Sequence, residues 1–368
     1  MNVPPPIDLR QLRVYPLATR RSLTRVEDIL RAPDSPPPAL PEPLVKEIAT
    51  CAERIRAAQS KGAAIMLIYG AHLLRNGAAL ILDRMMERGW LTHLATNGAG
   101  SIHDWEYSFL GRSTESVSEN VAAGKFGAWD ETGRYIHLAL MAGALDDLGY
   151  GRSVGRLICE EELTLPGRAA LEQRLRQTPS HPQAPAWADF LKAMVEFDLP
   201  SGKMRVAHAW KHASILGQAF RRGVPATVHP GIGYDIISNH PMFNGAVIGR
   251  AATLDFRQFA AAVNQLDNGV VLSVGSAIMG PQVFEKSLSC VHNLRFQRNQ
   301  PPVRNHSIYV VDMQEGTWDW SAGEPPKTNP AYYLRFCKSF SRMGGAMRYL
   351  CCDNAAFIHH LYHQLLKK

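Results

Sequence analysis

The stretch AAIMLIYGAHLLRNGAALILDRMMERGWLTHLATNGAGS, residues 63–101, decides the fold. AAIMLIY (63–69) is an unbroken apolar run of strand length, and His72 to Glu87 repeats apolar residues at helical spacing. LTHLAT (91–96) then returns to a short apolar run and closes in the small-residue turn TNGAGS (96–101). A continuous apolar strand is buried on both faces, so strand, helix, strand reads as a parallel βαβ unit.

The pattern recurs outward from this unit. VPATV (224–228), GVVLSVG (269–275), SIYVVD (307–312) and AMRYLCC (346–352) are further buried runs, and helical periodicity follows at Pro281 to His292 and Asn354 to Leu366. Six such runs alternating with helices predict an α/β fold: a Rossmann-like six-stranded parallel sheet with helices on both faces. Residues 1–43 contain PPP (4–6) and PPPALPEP (36–43), where proline removes donors and fixes φ, and they read as an extended Pro-rich arm. Residues 44–368 read as a single domain, with a more polar helical excursion at about 160–210.

Composition narrows the function classes. A hydrophobic fraction of 46%, 20% charged residues and seven tryptophans describe a globular chain with a sizeable core. The net charge of +7 is dispersed, and no nucleic-acid-binding module is evident, so no nucleic-acid partner is expected. The six cysteines include no C-x-x-C pair and read as reduced thiols, without a metal site. Neither a signal-peptide core nor a run of spanning length is evident, so no membrane partner is expected and the cytoplasm is the expected location.

In an open parallel sheet, ligands bind beyond the carboxyl ends of the strands. That rule nominates Gly70-Ala71-His72, Asn97-Gly98-Ala99-Gly100, the loop HPGIGYD (229–235), Gly275-Ser276-Ala277, Asp312 to Glu315 and Asp353-Asn354. Small residues at 96–101 and 275–277 would let backbone amides approach a phosphate, although a tight turn without ligand has the same signature. The two turns are expected side by side in one crevice. His229 and Asp235 share a loop, with His240 close behind, and suit acid–base work or metal binding, or else a histidine satisfied by a carboxylate. The Asp235 carboxylate suits a substrate ammonium better. Lys338 lies in AYYLRFCKSF, where apolar neighbours would lower its pKa and make it a nucleophile, or where it would lie along an amphipathic helix.

With these segments in view, the chain resembles the deoxyhypusine synthase family. The resemblance is carried by residues 68–111, VPATVHPGIGYDII, GVVLSVGSAIMGPQVF, SIYVVDMQEGTWDWSAGEPP and RYLCCDNAAFIHHLY, over roughly residues 63–111 and 212–366. It implies NAD as cofactor, contacted by Asn97, Gly98, Ala99, Gly275, Ser276, Asp312, Asp353 and Asn354. It also implies an amine held on Asp235, aminoalkyl transfer through an imine on Lys338, an acceptor lysine on a protein, and a homotetramer built as a dimer of dimers. Ile102 and His103 stand where the family has adjacent glutamates, Gly280 replaces a substrate-contacting histidine, Pro230 replaces a nucleotide-contacting aspartate, and Phe336-Cys337 replaces Trp-Gly. A pocket with fewer acids is expected to take an amine other than spermidine. Two further readings remain open: a non-catalytic nucleotide-binding oligomer, and a metal enzyme or hydrolase centred on His103, His229 and Asp235.

Overall fold

The computed structural model describes residues 3–367. All six apolar runs are strands: β1 (Ile65–Tyr69), β2 (His93–Asn97), β3 (Ala226–His229), β4 (Val270–Val274), β5 (Ser307–Asp312) and β6 (Ala346–Cys351). They form one parallel sheet in the order β6-β5-β4-β1-β2-β3. Chain order runs outward from β1 to β3, then resumes at β4 on the other side of β1. The sheet therefore has its topological switch point between β1 and β4, as in the doubly wound dinucleotide-binding folds.

Alternation along β1 divides the core. Ile65, Leu67 and Tyr69 face the layer that includes the helices Glu42–Ser60 and Asn354–Leu366. Met66 and Ile68 face Phe259, Val263, Phe284 and Leu288, on the helices Gly245–Val263 and Met279–Gln297. Every β1 residue is fully buried, which is why its sequence shows no polar alternation.

Two regions depart from the sequence reading. Between β2 and β3 the chain makes a long excursion that contains helices Asp130–Ala144, Tyr150–Glu160, Arg168–Gln177 and Ala184–Glu196. It also includes an antiparallel pair, Glu162–Leu165 with Gly202–Arg205, so the stretch at 160–210 is not wholly helical. The arm, in turn, lies against the body. Leu17 is fully buried in the core, and Thr24–Arg25 pairs antiparallel with Arg112–Ser113. No helix among the described residues is long and apolar enough to cross a membrane.

Candidate functional site at the carboxyl edge of the sheet

The predicted turns lie at the same carboxyl edge of the sheet but not side by side: one strand separates them, and of the two only Thr96–Gly100 contributes to the cavity beyond β2 and β3. Thr96–Gly100 leaves β2 and Gly275–Ala277 leaves β4, with β1 and its Gly70 between them. At the switch point the chain packs backbone on backbone: a Cβ on Gly70 would lie 2.0 Å from the Gly275 carbonyl oxygen. Gly275 has φ +60°, and a Cβ there would meet the Asn354 side chain at 2.3 Å. These glycines therefore answer a close approach within the chain, a requirement that exists without any ligand.

Around this edge, Ser276 is buried and its hydroxyl accepts from the Gly280 amide, while Asp312 at the end of β5 accepts from the Met313 and Gln314 amides. Asp353 caps the final helix by accepting from the Ala356 amide. The Oδ1 of Asn354 is buried without a hydrogen-bond partner, and so is the Tyr69 hydroxyl at the end of β1. Both atoms are enclosed within the protein, where an orphaned polar atom is costly. His72 is exposed on the short helix Ala71–Arg75 that follows β1.

Beyond β2 and β3 lies a cavity of about 380 Å³. Ala99, His103 and Asp235 line it, joined by Arg20, Arg75, Glu106, Glu115 and Tyr234. Helix Gly98–Leu110 supplies much of this wall. Asn97 caps it by accepting from the Gly100 amide, and the approach of Asp235 leaves no room for a side chain at Gly98, where a Cβ would lie 1.9 Å from the carboxylate.

His103 stands at the head of a buried relay. Its Nδ1 lies 2.7 Å from the Ser113 hydroxyl, which donates to Glu106 at 2.5 Å. A hydroxyl that donates to Glu106 accepts from the ring, so Nδ1 carries the hydrogen and Nε2 keeps its lone pair. Arg20 donates to both Glu106 oxygens at 2.8 and 2.7 Å, and Thr132 donates to the same carboxylate at 2.9 Å. Burial pushes the His103 pKa down to about 4, with Glu106 opposing and Arg75 and Arg20 assisting, so the ring is neutral at pH 7.

Asp235 is the cavity's other titrating group. Burial raises its pKa to about 6, countered only by the Gly231 amide, which donates at 2.7 Å. No basic side chain contributes to that balance, and a ligand ammonium would complete it.

The structure separates the remaining candidates. His229 does not line the cavity: it lies against Thr227 and Phe259, and burial depresses its pKa to about 4. His240 stacks on His137 and faces Asp130, so the expected trio on one loop is dispersed. Lys338 is also outside the lining. Its ammonium lies 3.1 Å from Glu324 and 3.8 Å from the centroid of the Tyr332 ring, and these partners raise its pKa, opposite to the lowering expected from apolar neighbours. Arg20, Arg75, Glu106 and Glu115 were missed in the sequence. The available signal was the pair Asp104 and Glu106, acids placed beside Ile102 and Trp105 on a helix that is buried nearly all round.

No protein-family model matches the chain, and no curated protein does. Among solved structures it is similar to unliganded AgrE, at 13% identity and TM-score 0.43 over 89% of this chain and 33% of that one. It is also similar to apo ArgZ, an arginine dihydrolase from the cyanobacterial ornithine-ammonia cycle, at 13% identity and TM-score 0.40 over 87% and 32%. A protein from Methanococcus maripaludis S2 described as of the LOR/SDH type matches at 15% identity and TM-score 0.41 over 91% and 71%. The chain spans about a third of the length of AgrE and ArgZ.

Proposed function

We propose that the protein is an NAD-dependent enzyme acting on a small amine. The observation that carries this reading is the pairing, in one cavity at the carboxyl edge, of an Asp235 carboxylate without a cation and a His103 whose free Nε2 is fixed by the Ser113–Glu106–Arg20 relay. Asp235 holds the ammonium. His103, neutral at working pH, orients that ammonium by accepting its hydrogen bond at Nε2, and Asp235, the stronger base of the two, takes the proton that the amine must lose before the carbon bearing it is oxidised. Gly275, Ser276, Asp312, Asp353 and Asn354 would hold the nucleotide at the adjoining switch point, with Asn97 to Ala99 at the neighbouring strand end. Bound NAD supplies the hydride acceptor.

The finer form of this reading is the one the deoxyhypusine synthase resemblance implies: transfer of an aminoalkyl group through an imine on Lys338 to an acceptor lysine, in a cytoplasmic homotetramer. It requires Lys338 to leave Glu324 and lose its proton before attack. Dispersal of His229 from His103 and Asp235 makes the metal-enzyme or hydrolase reading the weaker alternative. A screen of small amines scored by NAD reduction tests the proposal, with activity expected in the wild type and absent in Asp235→Asn and His103→Phe. NAD binding without amine-dependent reduction would leave the non-catalytic nucleotide-binding reading in front. Borohydride trapping in the presence of an active amine tests the finer form: an adduct on Lys338 supports transfer, and an unmodified Lys338 confines the chemistry to amine oxidation.

A further inference from the structure

The charges lining the cavity do not balance among themselves. Arg20 is answered twice, by Glu106 at 2.7 Å and by Glu115 at 3.9 Å. Glu115 is engaged further by Trp129 Nε1, which donates at 2.8 Å, and by the Asn120 amide at 2.6 Å. Two charged groups in the lining are left over. Asp235 has one backbone donor and no cation, and Arg75 has no carboxylate paired with it among the described residues. The Nε of Arg75 is buried without a hydrogen-bond partner.

Arg75 reaches this cavity from the switch-point side. It ends the helix Ala71–Arg75 that follows β1, and this helix packs beside Gly98–Leu110. Its positive charge opposes protonation of His103, which places it near that ring. A partly buried guanidinium with free donors is a site for a planar carboxylate, which it binds through two parallel hydrogen bonds. A desolvated carboxylate without a cation calls for an ammonium.

We propose that the cavity receives an amino acid as its zwitterion, the substrate carboxylate on Arg75 and the substrate ammonium on Asp235. This rests on the amine-binding reading and adds the second anchor. An amine without a carboxylate would leave Arg75 unanswered, so the site selects amino acids over their decarboxylated counterparts. A cavity of about 380 Å³ accommodates a substrate of amino-acid size but encloses no large polymer.

The test is calorimetric titration of NAD-saturated protein with pairs differing only in the carboxylate: L-leucine and isopentylamine, L-ornithine and putrescine, L-lysine and cadaverine. The expected result is that at least one amino acid binds about tenfold or more tightly than its partner amine. Arg75→Gln should erase that preference while leaving the Kd of the amine within about twofold. Arg75→Lys, which keeps the charge but loses the paired donors, should retain part of it and controls for loss of fold. Equal binding of both members of each pair, or a preference unchanged in Arg75→Gln, overturns the inference and leaves the amine reading standing. Failure of all six compounds to bind overturns the amine reading, and the inference with it.

Discussion

Asp104, Asp255 and Asp235 are buried carboxylates whose pKa values burial raises, to about 6, 7 and 6, and their partners distinguish support from chemistry. Asp104 accepts from the Ser214 hydroxyl and from the Ile215 and Leu216 amides, closing the start of helix Ile215–Arg222. Asp255 accepts from the Val228 amide at 2.7 Å and the Gly151 amide at 2.9 Å, tying β3 to helix Tyr150–Glu160. Asp235 accepts one amide and faces the cavity. Asp104→Asn and Asp255→Asn should therefore each cost about 1–3 kcal/mol by urea unfolding, since an amide group replaces an acceptor among donors. Asp235→Asn should change stability by less than about 1 kcal/mol, because one acceptor suffices there, while abolishing amine binding. Glu106→Gln removes the closer of the two carboxylates that answer Arg20, leaving Glu115 at 3.9 Å, and should cost about 3 kcal/mol. Asp235 was legible in the sequence because its loop follows a buried run. Arg20 and Glu106 were not, since they meet across 86 residues and no local spacing announces the pair.

At the scale of elements, what was legible followed from burial. Six runs without polar alternation became six parallel strands, because a strand covered on both faces carries its assignment in its own composition. The pair Glu162–Leu165 with Gly202–Arg205 escaped notice because Gly202–Arg205 is mostly exposed and contains no apolar run, so only its partner's proximity makes it a strand. The glycines at the strand ends were recognised as close approaches, but the approaching group is the protein itself. Gly70→Ala should accordingly destabilise more than Gly124→Ala. Gly124 has φ +64° and open space around its Cβ position, so it carries only the left-handed backbone cost of about 1–2 kcal/mol. Gly70→Ala drives a methyl group into the Gly275 carbonyl and must separate the β1 and β4 loops. Equal unfolding midpoints for the two variants would mean that these loops move apart freely.

For the whole molecule, buried histidines set the response to acid. Burial holds His93 at about 3 and His103, His137, His208 and His229 at about 4, below the ordinary 6.5. The unfolded chain takes up protons there as pH falls below 6.5, and the fold refuses them until about 4, so stability is lost across that window. The three raised aspartates act oppositely, favouring the fold below 3.8 and losing that contribution as pH rises through 6–7. Five histidines outweigh three acids, so Tm should be highest at pH 7 or above and should fall on going to pH 5, as scanning calorimetry would record. Assembly is checked separately: a homotetramer predicts a light-scattering mass near four chains at micromolar concentration. The strap formed by the arm carries a consequence for synthesis. Arg20 leaves the ribosome early, yet its partner Glu106 follows 86 residues later and the Thr132 that shares this carboxylate later still, so the cavity cannot close until the second strand and the helices after it have emerged. The same geometry makes Arg20 and Leu23 of the arm part of the cavity wall, so a cut through the arm would open the pocket as well as deprive Glu106 of its guanidinium.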